Sequence, residues 1–177
     1  MHYPLIEIKP KDFSIPDLAS YSAIVFTSKN AAQAFFAKYN VCSGQKIISI
    51  GTRTSKEISK YASVDHQAAK PDSDSLLILL RRLRLKKVLY PTSQLSDNVL
   101  HKEKNITKKV IYETRPIAQT RLDLADHAGI IFSSGSTVDA FFKLYKKIPK
   151  HFMIYTYGAH TSRGLARRGY KNVQALS

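Results

Sequence analysis

Residues 24–36 read Ile24-Val25-Phe26-Thr27-Ser28-Lys29-Asn30-Ala31-Ala32-Gln33-Ala34-Phe35-Phe36, and residues 130–142 read Ile130-Ile131-Phe132-Ser133-Ser134-Gly135-Ser136-Thr137-Val138-Asp139-Ala140-Phe141-Phe142. The two stretches share one pattern at an offset of 106 residues (132 − 26). Residues 48–55 and 154–162 continue the match at an offset of 107 (158 − 51). Each copy has the pattern of strand, polar turn, helix, strand, glycine turn and helix. The chain is therefore predicted to contain two related α/β lobes that face a shared cleft.

The fold class follows from how the elements alternate along the chain. Short apolar runs alternate with amphipathic helical stretches, which favours two doubly wound, mostly parallel α/β lobes. Residues 4–10 and 109–116 both alternate in polarity and are bordered by proline, which is typical of edge strands. We expect residues 1–10 and 109–116 to form a two-stranded linker ladder, with one lobe over 11–108 and the second over 117–177.

Local signals add four narrower predictions. Helical spacing predicts short helices over 97–104 and 120–127. Ser73 is the expected N-cap of the helix that follows it, because a serine hydroxyl can accept a free backbone N–H. Pro91 is expected to end the strand that begins at Lys87, since proline cannot donate to a sheet ladder.

Composition limits the class of protein. The chain has 177 residues, 44% of them hydrophobic, and no apolar run approaches the ~20 residues of a membrane helix. A single cysteine, Cys42, excludes an internal disulfide and is usual in a reducing, cytoplasmic compartment. The six histidines show no metal-ligand spacing.

The net charge of +15 calls for an explanation. Nucleic acid and a small polyanion are both suitable partners for such a chain. Most basic clusters lie on predicted helices or at strand starts, so solvated helix faces explain them as well as one binding patch does. The sequence contains no recognised nucleic-acid-binding motif.

Four polar turns are the candidate binding elements. In open α/β sheets, ligands bind beyond the carboxyl ends of the strands, where helix N-termini present free N–H groups that suit carboxylates or phosphates. The turns span residues 27–30, 51–54, 133–136 and 158–161, and residues 91–93 form a possible fifth. For a single turn, helix capping is a sufficient explanation, but four turns repeated across two lobes favour an anion site. The sequence has no GxGxxG, GxxxxGK[ST] or GxSxG motif.

These phrases, in their order along the chain, resemble the uroporphyrinogen-III synthase family. The resemblance rests on residues 24–31, 50–54, 71–76, 88–91, 110–114, 131–136 and 157–166. It implies conversion of the linear tetrapyrrole hydroxymethylbilane into uroporphyrinogen III, with inversion of the last ring and loss of water. It also implies an azafulvene cation, a spiro intermediate, and no cofactor or metal. A polycarboxylate substrate agrees with the +15 charge.

The resemblance also implies which residues act. The family tyrosine that assists departure of the substrate hydroxyl falls on Tyr112, and a phenol can donate a hydrogen bond without being ionised. An ordinary strand aromatic is the alternative for Tyr112. The expected substrate-binding residues are Thr27, Ser28, Gly51, Thr54, Ser134, Ser136, Gly158, His160 and Thr161. Of these, the two glycines would allow close backbone approach, and His160 is either a donor or simply solvated.

The resemblance is incomplete at both ends of the chain. The family begins with a further strand, a turn bearing threonine and arginine, and a helix, and it ends with one more helix. We therefore expect the second lobe to lack an N-terminal strand–helix unit that would precede Met1. Two alternatives remain: a basic nucleic-acid-binding α/β protein, and a non-catalytic homologue that binds tetrapyrroles or anions. As an enzyme, the chain is expected to be a cytoplasmic monomer, without membrane contact, that receives its substrate from hydroxymethylbilane synthase.

Overall fold

The computed structural model describes residues 1–96, 100 and 103–176, and it divides into two compact units. Residues 8–114 form one unit, which we call the continuous unit. Residues 1–7 and 115–177 form the other, which we call the split unit because it is assembled from both ends of the chain. Whether 1–10 and 109–116 act as a linker ladder stays a prediction, as do the lobe boundaries.

A six-stranded sheet is built from the described residues around the continuous unit, in the order β1-β6-β5-β2-β3-β4. The β2, β3, β4, β5 and β6 strands pair in parallel wherever they meet. The strands are β1 (Ile6–Pro10), β2 (Ala23–Phe26), β3 (Lys46–Ser49), β4 (His66–Gln67), β5 (Val88–Ser93) and β6 (Ile106–Pro116). The helices are α1 (Lys29–Phe36), α2 (Thr52–Ile58) and α3 (Ser73–Leu83).

The split unit repeats this plan on a smaller scale. Within the described ranges, its strands form a parallel sheet in the order β7-β8-β9. Leu5 is buried in the same core cluster as Phe132 and Phe141, so the N-terminal segment completes this unit. The elements are β7 (Gly129–Phe132), α4 (Gly135–Leu144), β8 (Met153–Thr156), α5 (Ala159–Ala166) and β9 (Val173–Ala175).

The internal repeat extends from the sequence into the packing of the two cores. Phe26 meets Phe35 edge to face at 5.5 Å, and Phe132 meets Phe141 in the same way at 5.4 Å. All four rings are fully or almost fully buried. Such rings dominate core energetics, and truncating one to alanine costs about 3–5 kcal/mol. The repeated strand–helix pair is thus held by one aromatic contact in each unit.

A tyrosine after each of these helices fastens the loop that precedes the first strand of the repeat. The Tyr39 hydroxyl accepts from the backbone N–H of Ile15 at 3.0 Å. The Tyr145 hydroxyl accepts from the backbone N–H of Leu122 at 2.7 Å. The repeat therefore includes a loop that the sequence comparison alone does not align.

Three of the narrower predictions concern elements that the structure describes, and all three are wrong. The N-cap of α3 is Asp72 rather than Ser73, because the Asp72 carboxylate accepts the Ser75 N–H at 2.8 Å. β5 continues past Pro91 to Ser93. β5 pairs with β2 at Val88 and Leu89, before Pro91, so the missing proline N–H interrupts no ladder on that side.

The helix predicted over 120–127 is absent, and this stretch is a loop. The backbone of Leu122 is bound to the Tyr145 hydroxyl through both its N–H and its carbonyl. The Asp123 carboxylate accepts the Ala125 N–H at 2.9 Å, a local bond that competes with helix formation. The helix predicted over 97–104 falls mainly on residues 97–99, 101 and 102, which lie outside the described residues.

The predicted fold class is confirmed: the chain is α/β with parallel sheets in each unit. None of the helices in the described ranges has the length and apolarity that a membrane span requires. The described residues also contain no group of three or more side chains placed to hold a metal ion. Cys42 is a free thiol.

Candidate functional site

The turn between β2 and α1 begins the site in the continuous unit. Ser28 has an extended backbone (φ −152°, ψ 150°) and is the N-cap of α1. Its Oγ accepts the backbone N–H of Ala31 at 3.1 Å, which satisfies one of the free donors of the first helical turn. From the sequence, Ser28 or Asn30 can cap this helix, and in the structure the cap is Ser28.

Tyr112 reaches the same turn from β6. Its hydroxyl lies 2.9 Å from Ser28 Oγ, a bond in which either oxygen can be the donor. The ring is buried, with 5% of the residue exposed. Tyr112 pairs with Ser93 across β5 and β6, at a register shift between Thr92 and Ser93. Bulges of this kind redirect a side chain, and here the irregularity accompanies the approach of the phenol to Ser28.

Burial sets the protonation state of this phenol. Loss of solvent around the ring raises the pKa of Tyr112 above its ordinary value, which outweighs the opposing effects of the Ser28 and Ser93 hydroxyls. The neighbouring phenol of Tyr90 raises this pKa further. Tyr112 is therefore fully protonated at neutral pH and is a hydrogen-bond donor or acceptor, not an anion.

A second tyrosine holds the other residue of this turn. The Tyr90 hydroxyl lies 3.1 Å from Thr27 Oγ1. Tyr90 is 3% exposed, while Thr27 is half-buried. Two buried phenols thus bind the consecutive hydroxyls of Thr27 and Ser28. The sequence predicts Thr27, Ser28 and Tyr112 as site residues but not Tyr90, which lies 63 residues from Thr27 along the chain.

The second turn of the continuous unit is closed by packing. Gly51 is the N-cap of α2, and its carbonyl accepts the Thr54 N–H at 3.0 Å. Thr54 is buried. A Cβ added at Gly51 would lie 2.9 Å from Pro71 Cβ, so the close approach of Pro71 gives this glycine a structural reason.

In the split unit, Ser134 takes the place of Ser28. It caps α4, and its side chain and that of Thr137 each accept the other's backbone N–H in a capping box. Ser134 Oγ also lies 2.9 Å from Ser136 Oγ. The exposed His160 ring lies beside Gly135, where an added Cβ would be 3.7 Å from its Nδ1. The split unit thus brings Ser134, Ser136 and His160 to the start of α4.

The second turn of the split unit is open. Gly158 is the N-cap of α5, and its carbonyl accepts the N–H of the buried Thr161 at 3.0 Å. In the part of the chain that the structure describes, nothing lies within 4 Å of a Cβ added at Gly158. Its backbone (φ −175°, ψ 153°) is one that any residue adopts. Packing and backbone conformation therefore do not require glycine here, in contrast to Gly51.

The predicted residues fall into two local groups. In the continuous unit, Thr27 and Ser28 lie in one turn, where Ser28 is hydrogen-bonded to Tyr112 and Thr27 to Tyr90. Ser134, Ser136 and His160 meet in the split unit. Thr54 and Thr161 are buried beneath the glycine turns. Their role in binding a ligand stays a prediction.

Comparison with known proteins shows the family to which the chain is similar. The family model described as uroporphyrinogen-III synthase HemD matches residues 1–176. The search of curated proteins returned no significant match.

Two solved structures of uroporphyrinogen-III synthases are similar to this chain. That from Helicobacter pylori is 19% identical with a TM-score of 0.68, over 98% of this chain and 84% of its own. A mutant from the extremely thermophilic bacterium Thermus thermophilus is 11% identical with a TM-score of 0.67, over 98% of this chain and 82% of its own. These identities show a shared fold, and the family match covers almost every residue. The chain therefore belongs to the uroporphyrinogen-III synthase family, the cyclising lyases of tetrapyrrole biosynthesis.

Proposed function

We propose that this protein cyclises hydroxymethylbilane to uroporphyrinogen III, with inversion of the last ring and loss of water, and that Tyr112 assists departure of the substrate hydroxyl. The family match supports the reaction. The observation that supports the role of Tyr112 is its buried phenol, placed 2.9 Å from Ser28 Oγ at the end of β2.

In this reaction, Tyr112 acts only as a hydrogen-bond or proton donor. The substrate C–O bond breaks as the phenol donates a hydrogen bond, or its proton, to the leaving oxygen, which departs as hydroxide or water. The electrons of the pyrrole nitrogen fill the position left behind and give an azafulvene cation. A phenol is ordinarily protonated across the neutral range, and burial raises the pKa of Tyr112 further, so the proton is present. General-acid assistance of this kind contributes about 10²–10⁴-fold.

The substrate-binding part of the proposal assigns carboxylate recognition to the polar turns. Thr27 and Ser28 in the continuous unit, and Ser134 and Ser136 in the split unit, place hydroxyls beside the starts of α1 and α4. Gly158 offers backbone that a ligand can approach closely, since no atom of the described residues lies within 4 Å of a Cβ added there. Gly51, Thr54, His160 and Thr161 complete the proposed set. The +15 charge favours association with a polycarboxylate.

The test is a coupled assay with freshly made hydroxymethylbilane, in which uroporphyrin isomers I and III are separated after oxidation. The wild-type chain is expected to give type III above the uncatalysed background. Tyr112→Phe is expected to lower kcat about 100-fold or more, with KM changed less, because the ring remains and only the donor is lost.

Tyr39→Phe is the matched control. It also removes one phenol oxygen from the continuous unit, but the lost bond is the structural one to Ile15. It is expected to keep the wild-type kcat. Full activity of Tyr112→Phe would make Tyr112 an ordinary strand aromatic. Formation of type I alone by a folded wild-type chain would favour a non-catalytic homologue.

We also propose that the protein is a cytoplasmic monomer that receives hydroxymethylbilane from hydroxymethylbilane synthase. Its free thiol, Cys42, is compatible with a reducing compartment. Light scattering after size exclusion is expected to give the mass of one 20.0 kDa chain.

A further inference from the structure

Tyr90 has a hydroxyl that the reaction as described does not use. Its ring belongs to the core cluster of Val25, Ile48 and Val88. Tyr112 belongs to a different cluster, with Phe26 and Phe35. The two tyrosines therefore come from different cores of the continuous unit, yet both end at the Thr27–Ser28 turn.

The bond from Tyr90 ties two strands where their backbone pairing has stopped. β2 and β5 are paired at Ala23–Val88 and at Ile24–Leu89. Thr27 lies three residues beyond Ile24, on the far side of the last paired residue. Within the described residues, the Tyr90–Thr27 bond is the side-chain hydrogen bond that joins the end of β2 to β5. The position of the Thr27 hydroxyl therefore depends on Tyr90.

The partners available to the two hydroxyl protons indicate which residue is the donor in the Tyr90–Thr27 bond. A buried phenol O–H needs an acceptor, and Thr27 Oγ1 is the hydrogen-bond partner found for Tyr90 in the part of the chain that the structure describes. When Tyr90 donates, the single proton of the Thr27 hydroxyl must point elsewhere. Among the described residues, Thr27 Oγ1 makes no hydrogen bond besides the one to Tyr90, and Thr27 is only half-buried. A hydroxyl that already accepts a bond is also a better donor.

We propose that Tyr90 is a positioning residue: it donates to Thr27 Oγ1, fixes the turn, and directs the Thr27 proton toward an oxygen acceptor of the substrate, of the carboxylate class. This inference rests on the proposed function, because it takes Thr27 as a substrate contact. It assigns Tyr90 no contact with the substrate itself.

The test compares Tyr90→Phe, Thr27→Val, Thr27→Ser and the double variant Tyr90→Phe/Thr27→Val, with hydroxymethylbilane as the probe. Tyr90→Phe keeps the ring in its core and is expected to raise KM about 3–10-fold, the value of one neutral hydrogen bond, with kcat within about twofold. Thr27→Val is expected to raise KM at least as much. The double variant is expected to match Thr27→Val alone, since Tyr90 acts only through that hydroxyl. Thr27→Ser keeps the hydroxyl and is expected to keep KM near the wild-type value.

The control is again Tyr39→Phe, which loses a structural bond of a phenol in the same unit and is expected to lower the melting temperature without moving KM. Three outcomes would overturn the inference: an unchanged KM in Tyr90→Phe, additive effects in the double variant, or a Thr27→Ser variant as weak as Thr27→Val. Each leaves the synthase assignment standing, because that assignment is read from isomer III formation and from Tyr112→Phe. Failure of the proposed function would instead abolish type III in the wild-type chain.

Discussion

Gly51 and Gly158 occupy corresponding positions in the two units, and the structure predicts opposite results when each is replaced by alanine. Both are N-caps of the second helix of their repeat, and both have extended backbone that alanine can adopt. A Cβ at Gly51 would meet Pro71 Cβ at 2.9 Å and Pro71 Cα at 3.5 Å. A Cβ at Gly158 would meet no atom of the described residues within 4 Å.

The difference in stability between the two variants is what remains after the contributions that both substitutions share have cancelled. Each replaces a glycine N-cap by alanine, and each reduces the freedom of the unfolded chain, so these contributions cancel in the comparison. What remains is the overlap with the stiff ring of Pro71, which costs about 1–3 kcal/mol when a packed site must shift. For a unit of roughly 100 residues, 1 kcal/mol lowers the melting temperature by about 4–8 °C. Gly51→Ala is therefore expected to be less stable than Gly158→Ala by about 1 kcal/mol or more, and its melting temperature to be lower by about 4–8 °C or more.

Melting should be followed by far-UV circular dichroism, because the chain has no tryptophan. Amide hydrogen exchange then shows which unit has lost stability. The amides of Thr54 and Ser55 bond to the Gly51 carbonyl, and those of Thr161 and Ser162 bond to the Gly158 carbonyl. Gly51→Ala should accelerate exchange in the first pair only. Gly158→Ala should leave both pairs protected but raise KM, because its methyl group enters space that we assign to the ligand. Equal destabilisation by the two variants, or an unchanged KM in Gly158→Ala, would refute this reasoning.

Two further predictions concern the continuous unit. Ser28→Thr keeps both the cap of α1 and a hydroxyl for Tyr112, Ser28→Ala keeps neither, and Ser28→Asp keeps the cap but offers Tyr112 a carboxylate that can only accept its proton. We therefore expect kcat to fall in both the Asp and the Ala variants, while only Ser28→Ala loses about 1 kcal/mol of stability. Parallel kinetics and melts check this, and a wild-type kcat in Ser28→Asp would count against it. The hydrogen bond from Lys60, followed by that from Gln33, lowers the pKa of Glu57 against the opposing effect of burial. The ionised carboxylate therefore stabilises the fold above its unfolded pKa of about 4.3, and that stability is lost as pH falls through the lower folded value. In urea melts between about pH 6 and 3, the free energy of unfolding should fall less for Glu57→Gln than for the wild-type chain. If it falls with pH equally in both proteins, Glu57 is not the group responsible.

Much of the fold could be predicted from local pattern. The repeat, the parallel strands and the cap at Ser28 all depend on residues close together in the chain. The errors arose where distant residues decide the local structure. Pro91 continues β5 because pairing with β2 has already ended there, and residues 120–127 remain a loop because Tyr145 binds the Leu122 backbone.

The site was predicted only in part, for the same reason. Hydroxyl-bearing turns can be recognised from sequence because capping residues recur at the starts of helices. The partners of those hydroxyls cannot, since Tyr90 and Tyr112 lie 63 and 84 residues from Thr27 and Ser28. The contrast between Gly51 and Gly158 is equally hidden, because it depends on the position of Pro71.

The division of the chain into a continuous and a split unit gives protein synthesis an order of events. Residues 8–114 leave the ribosome as one segment and can fold as a unit while translation continues. Leu5 emerges before them, yet its core partners Phe132 and Phe141 are made more than 100 residues later, which is roughly 5–20 s at usual elongation rates. The segment around Leu5 is therefore made before the continuous unit but buried after it. A nascent chain arrested before Arg115 should hold a folded continuous unit, with the segment around Leu5 still open to proteases.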